Sequence, residues 1–138
     1  MKVPLAFVAD EANLSQEGKL NVLGMFDRVA AMTFPVVHPK MVFAFRVEAE
    51  PGDADRPFPV AVRLVDSAGE PLFEAAGEMT VPRLPVGELF SANQVFSLVG
   101  VEFPRAGTYR FVVMIAGEKA SETILVVSGP PAPVTGLN

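Results

Sequence analysis

Apolar residues recur along this chain in short alternating runs, and Gly, Pro and Asp punctuate the runs. Period-two alternation bounded by turn residues predicts half-buried β-strands. The clearest is residues 41–50. Met41, Phe43, Phe45, Val47 and Ala49 form a core-facing side; Val42, Ala44, Arg46, Glu48 and Glu50 form the other, which turns from apolar to charged as the strand leaves the sheet. Residues 58–66 repeat the pattern with Phe58, Val60, Val62 and Leu64 inward, and residues 108–116 with Tyr109, Phe111, Val113 and Ile115. Further strands are predicted at 3–9, 19–29, 71–81, 93–103 and 121–127. In 93–103 two inward faces compete, Val95, Val99 and Val101 against Phe96 and Leu98. Turn residues mark 51–57, 66–70, 104–107 and 117–119.

The stretch from Gly18 to Val29 reads as a long apolar strand at the centre of a sheet, paired with 3–9 in a hairpin. Gly24 inside it marks a bulge or a close approach by other backbone. Asp27-Arg28 at its end reads as a structural pair pinning its exit. Residues 34–39 carry two prolines, which predicts an extended crossover. Residues 82–90 are irregular by their proline spacing yet hold Leu84, Val86, Leu89 and Phe90, either capping the core or forming a contact patch. Together these elements predict one all-β domain over 1–127 and a flexible Pro-rich tail over 128–138. The fold class is an antiparallel β-sandwich of about eight strands, immunoglobulin-like in general architecture, with a closed β-barrel as the alternative. Gly107-Thr108-Tyr109 resembles a late strand of such sandwiches, where a turn glycine precedes a tyrosine packed on the sheet; their Cys…Trp…Cys framework is absent.

At 138 residues the chain is one domain of ordinary size, able to bury roughly 70% of its unfolded surface. Half its residues are apolar, so either the core is large or apolar surface is kept for another chain. A net charge of -5, with no basic stripe, argues against nucleic acid and anionic membranes as partners. No apolar run reaches the ~20 residues of a membrane span, and the apolar N-terminal run ends in Asp10-Glu11, unlike a signal peptide. With no cysteine, disulfides, thiolate catalysis and zinc–thiolate sites are excluded, consistent with a cytoplasmic location.

Little chemistry remains. The single histidine, His38, reads as structural; no nucleophile-elbow pattern accompanies any serine, and no glycine-rich phosphate loop occurs. Carboxylates are the other stock. Asp53 and Asp55 have a spacing found in calcium loops, and Asp10 with Glu11 closes a strand, so Asp10, Asp53 and Asp55 are the weak candidate metal ligands; solvated turns account for them more simply. No cofactor and no catalytic residue is assigned.

One resemblance rests on particular residues. Asp10-Glu11-Ala12, the stretch Gly18-Lys19-Leu20-Asn21-Val22-Leu23-Gly24-Met25-Phe26-Asp27, then Phe34-Pro35 and His38-Pro39 resemble a family of small bacterial proteins defined only as a domain of unknown function. The resemblance implies an all-β sandwich over most of the chain and says nothing about activity. The leading expectation is therefore a non-enzymatic module that contacts another protein or copies of itself, through candidates Leu84, Val86, Leu89 and Phe90. A ligand- or calcium-binding module using the acidic loops comes second, and a carboxylate-dependent hydrolase third.

Overall fold

In a computed structural model, residues 1–130 are described, and no helix among them is long and apolar enough to cross a membrane. Nine strands form: β1 (Lys2–Leu14), β2 (Leu20–Phe26), β3 (Arg28–Ala30), β4 (Val36–Ala49), β5 (Pro57–Val65), β6 (Pro71–Thr80), β7 (Phe90–Phe103), β8 (Gly107–Ile115) and β9 (Glu118–Ser128). One sheet runs β2-β1-β4-β7 and the other β3-β9-β8-β5-β6. The two pack face to face as a sandwich, immunoglobulin-like in general architecture, and neither closes into the alternative barrel. Among the described residues all strand pairings are antiparallel except β3 with β9, which is parallel; an isolated bridge between Ala54 and Val81 is parallel too.

The core is the period-two pattern made solid. Phe58, Val60, Val62 and Leu64 of β5 and Tyr109, Phe111, Val113 and Ile115 of β8 face inward as expected. Across the sheets, Phe43 of β4 stacks on Phe111 of β8 with ring centroids 4.5 Å apart and planes 4° from parallel. Burial of each such ring contributes roughly 2–3 kcal/mol, and the stack adds about 1 more.

The stretch from Gly18 to Val29 departs most from expectation. It is not one central strand: β2 is an edge strand of the first sheet, and β3, after a single linking residue at Asp27, is an edge strand of the second. The segment thus changes sheets. Asp27 and Arg28 form no ion pair with each other; the exit is pinned by backbone, with the Val126 N–H donating to the Asp27 carbonyl at 2.9 Å.

Gly24 works elsewhere. β1 stays with β4 only as far as Ala9, while it pairs with β2 out to Leu14. The tip of this β1–β2 hairpin folds across the outer face of its own sheet. Leu20 packs with Phe7, Ala9, Ala44 and Val95, and the Asn93 amide of β7 donates to the Gly18 carbonyl at 3.0 Å. Gly24 lies where the hairpin bends, at φ +72°, opposite Asp10; the β1–β2 register is unbroken there, so no bulge occurs. A Cβ at this position would stand 2.5 Å from Asp10 Oδ2, so the close approach is by a side chain, not by backbone.

That fold-over explains why Val42 and Ala44, expected on the open side of β4, are fully buried. β4 also begins earlier than predicted, at Val36, because the crossover of 34–39 is already paired with β7. Pro39 is accommodated opposite Gly100, at φ +68°, where the buried face of β7 switches from Leu98 to Val101. Both competing faces of β7 are therefore partly right. β9 extends to Ser128, one residue beyond the expected domain end; the tail from residue 131 lies outside the described residues.

Candidate functional site

The corner where β2 crosses into β3 gathers polar and apolar groups that the core does not use. Sheet register places Asp10 on β1 beside Gly24, the crossover brings Arg28 onto β3, and the early start of β4 brings His38 up beside Phe26. The His38 and Phe26 rings lie 5.8 Å apart. Asp10, Gly24, Arg28 and His38 line an open concavity of about 410 Å³ together with Met25 and Phe26. Below the crossover a second concavity, about 330 Å³, runs from Met25 and Phe26 down to Thr123 and Ile124 of β9. Met25 and Phe26 form the ridge between the two.

Around this ridge apolar side chains face solvent: Leu23 is 72% exposed, Met25 63% and Ile124 50%. Among the described residues, no side-chain hydrogen bond or ion pair engages Asp10, Arg28 or His38. Neighbouring Glu11 differs: both its carboxylate oxygens accept from Lys40 Nζ, at 2.7 and 3.0 Å. The corner thus offers an acid, a guanidinium and an imidazole at full hydrogen-bonding capacity beside apolar surface.

The other sequence candidates are scattered. Asp53 and Asp55 lie at the opposite end of the sandwich, following β4. Asp53 Oδ2 accepts the Glu50 N–H at 3.0 Å and so caps a 3-10 turn at Pro51–Asp53; Asp55 holds Arg83 through Nε and Nη2 at 2.9 and 2.6 Å. They do not join Asp10, which lines the corner concavity, and no three His, Asp or Glu side chains among the described residues gather as a metal site. In the 82–90 loop, Val86 is fully exposed and Leu89 mostly so, whereas Leu84 and Phe90 are half-buried. Arg28 and His38 reach the corner through strand pairings that short-range patterns do not encode, so its residues are legible singly in the sequence and their meeting is not.

One carboxylate near the second concavity is shifted. Glu122 on β9 is held below the usual range, chiefly by the hydrogen bond from Lys119, with the Lys119 and Arg110 charges adding to it and partial burial opposing. Its oxygens sit 2.6 Å from Arg110 Nε and 2.9 Å from Lys119 Nζ.

Residues 4–128 match the family of unknown function DUF6941. The chain belongs to that family. No curated protein matches its sequence. Among solved structures, it is similar to an immunoglobulin-like protein of Pseudomonas aeruginosa, at 15% identity and TM-score 0.38, over 87% of this chain and 95% of that one. It is also similar to the alkylpurine DNA glycosylase AlkC of Pseudomonas fluorescens bound to DNA with an abasic-site analogue, at 13% identity and TM-score 0.40. The match covers 89% of this chain but spans only 30% of the glycosylase.

Proposed function

We propose that this DUF6941 domain is a non-enzymatic contact module whose β2–β3 corner receives a protein partner. The observation that carries the reading is the exposure of Met25 on an edge strand beside the unengaged Asp10, Arg28 and His38, with exposed Leu23 two residues along the same strand. Interfaces of this kind have an apolar centre with polar groups around it that fix orientation. The concavities are open and shallow, a shape suited to a protein surface more than to a small molecule, which is enclosed over most of its area. The stretch on which the family resemblance was drawn builds this same corner.

A second contact reading uses the 82–90 loop and rests on the exposed Val86 and Leu89. Site-specific photo-crosslinking in the source cells separates the two. A photoreactive residue at Leu23 is expected to give a discrete adduct that Arg28→Glu abolishes, while the same residue at Val86 gives none. A discrete adduct from Val86 alone moves the contact to the loop, and no adduct from either position removes the proposal.

A further inference from the structure

The sandwich has a second exposed flank, opposite the corner, where β7 and β6 are the free edges of the two sheets. An edge strand shows a row of unpaired N–H and C=O groups, and proteins blunt such edges with charges, prolines, kinks or shortness. β6 follows that practice: it starts at Pro71 and carries Glu74 and Glu78. The half of β1 not covered by β2 has Lys2 and Pro4, and the half of β9 not covered by β3 has Lys119 and Glu122. β2 has no charge but spans seven residues and is bent at Gly24.

β7 has little of this: Gly100, at φ +68°, bends it near one end, and the strand before that bend carries none of these devices. β7 is 14 residues long, about 46 Å at a strand's rise per residue. From Ser91 to Val101 it contains no charged residue and no proline. Thirteen of its residues pair with β4 on one side, and among the described residues no strand pairs on the other. A small apolar notch of about 100 Å³ opens beside it, between Phe96 and Met79 of β6, so inward side chains of an added strand have somewhere to pack.

We infer that β7 pairs with β7 of a second copy, antiparallel about a two-fold axis, joining two four-stranded sheets into one of eight. A second copy is the occupant the sequence favours, because an uncharged edge has nothing with which to select a charged partner and an antiparallel edge is complementary to itself. The uncharged run from Ser91 to Val101 is centred on Phe96. An axis there overlaps the run completely, sets Ser97 against Val95 of the copy, and leaves Glu102 beyond the overlap facing Phe90 rather than its own counterpart. Within the β7 overlap no like charges meet. This surface lies on the flank away from the corner, so it stands or falls independently of the contact proposed there.

The test is light scattering of the full chain over a dilution series, with amide exchange of β7 as a second readout. Wild-type protein is expected at twice the monomer mass, with β7 amides that exchange faster on dilution. Ser97→Lys with Val99→Lys, both at solvent-exposed positions, places four new positive charges across the joint and is expected to give a monomer. Thr80→Lys on β6 is expected to leave the dimer intact. Ser97→Glu with Val99→Glu serves if the lysine pair fails to melt cooperatively. A monomeric wild type overturns the inference, even if its β7 amides are protected, since another occupant then covers the edge. So does a dimer that survives both paired substitutions in a folded protein.

Discussion

Two places in this molecule bring together an aspartate, an arginine and an aromatic ring, and they use them in opposite ways. At one end, Asp66 is 7% exposed; its Oδ1 accepts the N–H groups of Ala68 and Glu70, each at 2.9 Å, and its Oδ2 accepts from Arg105 at 3.0 Å. The Arg105 carbonyl in turn accepts the Tyr109 hydroxyl at 2.6 Å. That hydroxyl returning to backbone just upstream is the tyrosine-corner device of immunoglobulin-like sandwiches. Every group there is engaged, and two turns are locked together. At the corner, Asp10, Arg28 and His38 have no such partners among the described residues. The difference separates chemistry committed to folding from chemistry still available for binding.

Substitutions sharpen that contrast. The largest effect is expected from Asp66→Ala, which leaves two turn N–H groups without their acceptor and should cost about 2–3 kcal/mol in urea unfolding. Gly24→Ala comes next. A left-handed backbone angle disfavours any Cβ by about 1–2 kcal/mol, and the contact with Asp10 adds to it. In an Asp10→Ala background the carboxylate part of the contact should be relieved while the backbone part and the 3.1 Å approach to the residue-10 Cβ persist, which a double-mutant cycle reads directly. Tyr109→Phe should cost about 1 kcal/mol, the worth of one hydrogen bond to a carbonyl left unpaired.

By contrast, Arg28→Ala and His38→Ala should change stability by less than about 0.5 kcal/mol. A loss comparable to that of Asp66→Ala would mean that the corner is structural after all. The smallest effect belongs to Glu122→Gln. Because the folded state holds this carboxyl below its usual range, its contribution is present at neutral pH and fades as pH falls through the lowered value. The variant should therefore melt below wild type at neutral pH and match it in acid.

Much of this fold was legible from alternation alone. β5 and β8 lie fully on the inner faces of their sheet, so a strict period of two named their buried residues. Where a strand has both faces covered, the pattern misleads: Val42 and Ala44 are buried under a hairpin whose path no local signal marks. Prolines misled too. Pro35 and Pro39 suggested a crossover, but Pro39 fits inside β4 opposite Gly100, at the one pair the β4–β7 ladder skips. The corner is not legible as a place: Gly24, Arg28 and His38 belong to three different strands, and only the parallel pairing of β3 with β9 and the early entry of β4 set them around one concavity.

That parallel pairing also dictates an order of assembly. Val29 is tied to Ser128, 99 residues along the chain, whereas the β1–β2 hairpin needs only its near neighbours. Contacts so far apart in sequence close slowly and late. The corner therefore has no fixed shape until β9 has been made and docked, so a chain that has not yet reached β9 cannot present it. A partner of the kind proposed for this surface would meet only molecules in which β9 is already docked.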